Sequence, residues 1–209
     1  MAFNTNIIRS SLLQSSPANP AYFEVRFNGM PKIFEGKSSG VIDSIETRKG
    51  RQGKWEDNFQ DFRYRCTDAE LPARQLMTQE RRYVGPQRLL PYGILYGTLN
   101  LNLIEGKNIR MRELFDTWQD SVFSGANYRP HYYDDVICDM TIDVYDKSGN
   151  KVREYLLKEC FPVSVNPSQL SWSGNSQIMT VPIEIAYHEF IGKSTWINKG
   201  QAGSDFTKN

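Results

Sequence analysis

Histidine is scarce in this chain. Its 209 residues include two, His131 and His188, and three cysteines. Chemistry that relies on clustered imidazoles and thiolates, zinc sites above all, has little to draw on. Cys66, Cys138 and Cys160 are odd in number and widely spaced. Free thiols in a cytosolically made chain are expected, rather than a secreted disulfide framework. No apolar run approaches the roughly 20 residues of a membrane-spanning helix. From Met1 to Ser16 the only apolar pairs are Ile7-Ile8 and Leu12-Leu13, too dispersed for a signal-peptide core. Nor does one charge dominate: Lys+Arg is 25 and Asp+Glu is 24, a net charge of +1. A strongly basic nucleic-acid binder and an acidic disordered chain are both disfavoured. Little net charge also means little repulsion against self-association. A chain of this length buries about 70% of its unfolded surface, enough for a core without disulfides or metal.

What is present is alternation. Phe23, Val25 and Phe27 alternate with Glu24, Arg26 and Asn28, as in a half-buried strand. Phe62 to Cys66 alternates in the same way. Leu99, Leu101 and Leu103 face away from Asn100 and Asn102. Val136, Cys138, Met140, Ile142 and Val144 oppose Asp139, Thr141 and Asp143. Asp146-Lys147-Ser148-Gly149-Asn150 reads as a hairpin turn into a partner strand over 152–161. Met179 to Tyr187 alternates again. One stretch, 109–123, has the helical period, with Met111, Leu114, Phe115, Trp118 and Val122 on one stripe. Asn108 is its expected N-cap and Gly125 its stop. The class is mainly β: an antiparallel sandwich or barrel with one flanking helix. Three parts are expected: an arm over 1–20, a β domain over 21–190 and a polar tail over 191–209. Within the domain, residues 29–60 read as a long loop excursion, with a short helical turn at Val41–Ile45.

Catalytic signals are weak. Gly36-Lys37-Ser38-Ser39-Gly40 fits G-x-S-x-G, but without the strong strand and following helix that a nucleophile elbow needs. Read as a phosphate loop, it has Pro31 where the leading glycine belongs. His131 lies near Asp134-Asp135, yet a third ligand is missing. His188 shares a strand face with Glu184, the pattern of a surface pair. The chain is therefore not expected to be an enzyme, and no cofactor or metal is expected.

Several segments occur in a fixed order: Pro17-Ala18-Asn19-Pro20-Ala21-Tyr22-Phe23-Glu24-Val25, Phe62 to Cys66 with Glu70-Leu71-Pro72, and the helix carrying Arg112, Phe115 and Trp118. Tyr132-Tyr133-Asp134-Asp135, Gln169-Leu170-Ser171-Trp172, Ile178-Met179-Thr180 and Ala186-Tyr187 follow. Taken together, these segments resemble the tail tube proteins of contractile-tailed bacteriophages. The resemblance spans roughly residues 17–190. It implies subunits that close six at a time into a ring with one continuous β-barrel lumen. Rings would stack into a hollow tube in the virion tail, assembled in the host cytoplasm. A sheath protein would lie outside it, and baseplate and terminator proteins at its ends. Phage DNA and a tape-measure protein would pass through. Leu71, Pro72, Phe115, Trp118, Leu170 and Trp172 are the expected core and motif positions. The long excursion and the tail are additions to the family pattern, as in a baseplate tube initiator of the same fold.

The residues offer their own candidates. Asn100, Asn102, Asp139, Asp143 and Glu184 lie on polar strand faces whose short runs lack Lys and Arg. A DNA channel should not hold phosphate, so these are candidate lumen residues. Arg48, Lys49, Arg51 and Lys54 form a basic cluster expected on the outer wall or between rings. Tyr132, Tyr133, Asp134 and Asp135 are further candidates for contacts between subunits or rings. The tyrosine-rich loop Tyr128–Tyr133 leaves one alternative of another class, a monomeric binding module.

Overall fold

A computed structural model describes residues 22–34, 52–82, 85–125, 128–168, 170 and 178–194. The expected arm over 1–20, most of the excursion, the turn at Val41–Ile45, the glycine-serine motif and residues 195–209 lie outside this set. In chain order the described elements begin with β1 (Phe23–Phe27), α1 (Gln52–Arg65), β2 (Cys66–Ala69), β3 (Arg74–Arg81), β4 (Arg88–Tyr96) and β5 (Leu99–Ile104). Next come α2 (Arg110–Val122), β6 (Phe123–Ser124), β7 (Arg129–Pro130) and α3 (Tyr133–Val136). The last are β8 (Cys138–Tyr145), β9 (Lys151–Val165), β10 (Thr180–Ala186) and β11 (Glu189–Ser194).

Seven strands form one antiparallel path, β1-β8-β9-β10-β5-β2, with β11 also on β9. β9 is 15 residues long and serves two halves. Its first part pairs with β8 and β11. Its last part, from Phe161, pairs with β10. The register slips between Cys138 and Met140, and Glu159 takes a left-handed φ of 55°. A bulge of this kind bends a strand and lets it change sheets. The Asp139 carboxylate accepts the Glu159 N–H at 3.1 Å, and the Glu159 carboxylate accepts the Tyr133 hydroxyl at 3.1 Å.

The core lies between these halves and two helices. Leu99, Leu101 and Leu103 point inward beside their partners Ile185, Ile183 and Val181, and all six are buried. Val25, Met140, Ile142 and Leu157 line the other half. Phe27 is the meeting point of the rings. Its centroid lies 4.6 Å from Phe62, 5.5 Å from Phe59 and Trp118, and 6.4 Å from Phe115. Trp118 donates its indole N–H to the Val136 carbonyl at 2.7 Å.

Helix α2 and strands β1, β5, β8, β9 and β10 match the sequence expectations within a few residues. Four readings change. Residues 62–65 are helical, not extended, and α1 already begins inside the expected 29–60 loop. The α2 cap is not Asn108. Ile109 occupies the N-cap position, and Glu105 reaches forward to accept the Met111 N–H at 2.7 Å and the Arg112 N–H at 3.3 Å. α2 ends at Val122 in extended Phe123, before Gly125. The first residues of the expected polar tail belong to β11. Of the motif positions, Phe115 and Trp118 are fully buried, but Leu71 and Leu170 are exposed and Pro72 is half-buried. Leu71 leaves a strand toward solvent instead of turning inward. Trp172 lies outside the described residues.

The helix and strand readings of 62–65 separate experimentally. A strand would place Phe62 and Tyr64 on one face, whereas the helix buries Phe62 and leaves Tyr64 78% exposed. Phe62→Ala is expected to cost about 3–5 kcal/mol in urea unfolding. Tyr64→Ala should stay within about 0.5 kcal/mol of the parent.

Candidate assembly surfaces

The half built from β2, β5, β10 and the end of β9 has one apolar and one polar face. The strand period that sends Leu99, Leu101 and Leu103 inward sends Asn100 and Asn102 outward. Across the strands, Glu184 stands opposite both Asn100 and Ser164, and Asp68 stands opposite Asn102. The Asn100 amide donates to Glu70 at 2.9 Å and the Asn102 amide to Asp68 at 3.5 Å. Thr98 donates its hydroxyl to Glu184. Residues 66–69, 99–104, 161–165 and 180–186 contain no Lys or Arg. The outer face of this half therefore carries carboxylates, amides and hydroxyls without a cation from its own strands.

The same half has two open edges among the described residues. β2 pairs only with β5. The end of β9 pairs with β10 on one side, while its pairing with β8 stops at Cys160. Gln119 donates to the Val163 carbonyl at 2.9 Å on that stretch, and Val163 is 49% exposed. Unpaired strand edges are templates for another chain.

A second surface is the β3–β4 hairpin, which forms a two-stranded sheet of its own. Leu76 and Ile94 pair across it and share a face, as do Glu80 and Leu89. Gln79 and Leu90, and Gln75 and Leu95, pair on the opposite face. Leu76, Leu89, Leu90, Ile94 and Leu95 are each between 43% and 61% exposed. Apolar side chains on both faces of a projecting ribbon mark an interaction surface. Sequence reading missed this hairpin.

A third feature divides the expected lumen set between two surfaces. Glu24, Asp143 and Glu154 stand side by side across β1, β8 and β9, with Lys193 next on β11. Asp143 is only 1% exposed and lies 3.1 Å from Arg26 and 2.7 Å from Lys151. Arg63 pairs with Glu24, and Lys151 also pairs with Glu154. Asp143 is thus a buried anion ringed by cations on the other half of the fold, not a free residue on a cation-poor face. Asp139 is also on that half, with its carboxylate committed to the Glu159 bulge. Asn100, Asn102 and Glu184 do come together.

The other candidates scatter. Tyr132, Tyr133 and Asp134 are exposed on α3 and its approach, while Asp135 is buried. Arg48, Lys49 and Arg51 lie outside the described residues, and Lys54 falls within α1. Burial, and then the charge of Asp68, push the Cys66 thiol up to about 12. Burial, and then Asp139, do the same to Cys160. No cluster of three metal-ligating side chains occurs among the described residues. None of the described helices is long and apolar enough to cross a membrane.

The ion-pair row has a pH signature. Lys151, close to Glu154, holds the Glu154 carboxyl below its ordinary 4.5 against the opposing effect of burial. Burial pulls Lys151 down, but its contacts with Asp143 and Glu154 prevail and raise it above 10.5. The lowered carboxyl adds stability that is full above pH 4.5 and is lost as pH falls through its folded value. The raised ammonium adds stability that is full below pH 10.5 and is lost as pH rises through its folded value. Glu154→Gln should remove about 1 kcal/mol or less at neutral pH. It should also flatten the loss below pH 4.5 in urea titrations. An unchanged acid limb would remove Glu154 from the account.

The profile of the family described as phage tail tube protein matches residues 18–193. The sequence has no match among curated proteins. The fold is similar to that of a chain in the anti-feeding prophage baseplate, with TM-score 0.53 and 16% identity over 86% of this chain and 97% of that one. It is similar to a chain of the sheath-tube complex of the PVC extracellular contractile injection system in its extended state. There the TM-score is 0.52 at 16% identity, over 92% of this chain and 99% of that one. A chain of the PVC sheath/tube terminator gives 0.56 at 15% identity, over 86% of this chain and 99% of that one.

Proposed function

This chain belongs to the phage tail tube protein family, and we propose that six copies close into a ring whose stacked repeats form the tube of a contractile tail. The observation that carries the proposal is the half made of β2, β5, β10 and the end of β9. It has an apolar inner face, a polar outer face to which its own strands bring no Lys or Arg, and two edges open among the described residues. Joining β2 of one copy to the end of β9 of the next satisfies both edges. Repeated around an axis, such head-to-tail contacts close a ring and its sheet becomes a barrel.

In that ring the polar face lines the bore. Asp68, Glu70 and Glu184 repel phosphate, and Asn100, Asn102 and Ser164 present neutral polar groups. DNA held by no Lys or Arg moves through without the salt-dependent affinity that each such contact adds. The hairpin reaches a neighbouring copy, where both of its apolar faces are covered. The ion-paired half, with Asp143 at its centre, faces away from the bore. Its partner in this reading is a sheath protein, with baseplate and terminator proteins capping the column. The similar solved chains come from a sheath-tube complex, a baseplate and a terminator, which supports that setting. The role is structural, the place is the virion tail, and a tape-measure protein precedes DNA through the bore.

Negative-stain imaging of the concentrated protein, alone and with a baseplate preparation, tests the reading. Hollow rings or tubes of uniform bore are expected. Long tubes identify a main tube protein, and rings that nucleate but do not grow identify an initiator. Monomers under both conditions would overturn the proposal. Leu76→Glu with Ile94→Glu should leave a folded subunit and abolish tubes. Glu184→Lys with Asp68→Lys should yield tubes that retain short duplex DNA at 50 mM salt and release it at 200 mM, where parent tubes retain none.

A further inference from the structure

The β3–β4 hairpin joins the body through two short links. Residues 70–73 lead in from β2, and Gly97-Thr98 leads out to β5. β2 and β5 are themselves paired, so the hairpin continues that pair beyond a hinge. Neither hairpin strand contains a buried residue. Its direction is therefore decided at the hinge and not along its length.

Thr98 and Glu70 hold the body ends of the two links, to Glu184 and Asn100, and Tyr187 grips the hairpin end. Tyr187 follows β10 and is 6% exposed. Its hydroxyl accepts the Ala73 N–H at 3.1 Å and donates to the Ala73 carbonyl at 2.8 Å. A phenol has one proton and acceptor lone pairs, so a single backbone residue satisfies it in both senses. The other root is held by the same ring. Tyr96, the last residue of β4, lies 6.1 Å from Tyr187 and 5.8 Å from Phe190, ring to ring. Phe190 in turn stands 6.3 Å from Tyr187 and 6.2 Å from Tyr155 on β9. Both ends of the hairpin are thus tied to one aromatic cluster on the body.

We propose that Tyr187 is the positioning residue that fixes the angle of the β3–β4 hairpin, so that it meets a second copy of this chain already aimed. The proposal rests on the assembly reading above. Removing the hydroxyl keeps the ring packing but frees Ala73, and the hairpin turns about Gly97-Thr98 as a unit. Its ordering is then left to the association step, which weakens assembly.

Tyr187→Phe in the full chain tests this, with Leu114→Val in α2 as a control that loses core packing away from the hinge. Hydrogen exchange at residues 73–76 should accelerate in Tyr187→Phe and not in the control. The critical concentration for tubes should rise on the order of tenfold in Tyr187→Phe, as for loss of a well-made hydrogen-bond pair. The control should lower the melting temperature and leave the critical concentration unchanged. Assembly of Tyr187→Phe at the parent concentration, or an equal rise in the control, would overturn the positioning role. The Leu76→Glu, Ile94→Glu variant separates the two levels of argument. If it still forms tubes, the hairpin does not mediate assembly and the underlying reading fails. If it blocks tubes while Tyr187→Phe assembles as the parent does, only the role of Tyr187 fails.

Discussion

One strand has to belong to two sheets, and the hydrogen bond that allows it is small. β9 pairs along its first part with β8 and β11, and along its last part with β10. Between them Glu159 sits at φ 55°, a conformation that costs a non-glycine residue free energy unless its surroundings hold it. Asp139 holds it by accepting its N–H. Were β9 to run straight, the polar face bearing Asn100 and Glu184 and the ion-paired face bearing Asp143 would merge into one sheet surface. The bend separates them, and the division of the molecule into two chemically different walls follows from it.

The aromatic core makes that bend rigid. Phe27 from the first strand touches rings from both α1 and α2. Trp118 reaches across to the Val136 carbonyl just before β8. Glu105 caps α2 from the end of β5, so the helix is fixed to the polar-faced half at its start. Each helix is thereby referenced to both halves. The surfaces described here keep their relative orientation because the rings and caps beneath them leave little room for sliding.

Strictly periodic segments were legible in the sequence. β5, β10 and α2 each bury one face, β8 keeps its apolar residues on one, and the residues repeat at the spacing that this packing demands. α1 was not legible because Phe62-Arg63-Tyr64-Arg65-Cys66 also fits a two-residue period. The three-residue spacing of Phe59 and Phe62, both buried, carries the helical signal. The hairpin failed to register for the opposite reason: Leu89, Leu90, Ile94 and Leu95 occupy both faces, so no alternation exists to be read, and Pro91 looks like a break. Asp143 was read as outward by its strand parity, and that parity is correct. Its burial comes from Arg26, distant in sequence, and from Lys151 across the hairpin turn, which reach it only when the strands pair. Tyr187 fitted its strand pattern, but the sequence holds no sign that its hydroxyl would meet Ala73.

A ribbon with apolar residues on both faces is also a liability for the free subunit. In the assembly proposed above, newly made copies expose β3 and β4 before a neighbour covers them, and an exposed strand with leucine on each side pairs readily with the wrong partner. The charges are concentrated at its tip, where Glu80, Arg81, Arg82 and Arg88 flank the turn. In that position they act as gatekeepers, spoiling end-on stacking of stray hairpins while leaving the apolar shafts available. The same ribbon therefore sets a kinetic requirement: correct capture must outrun misassociation, and the ratio of the two falls as free subunits accumulate.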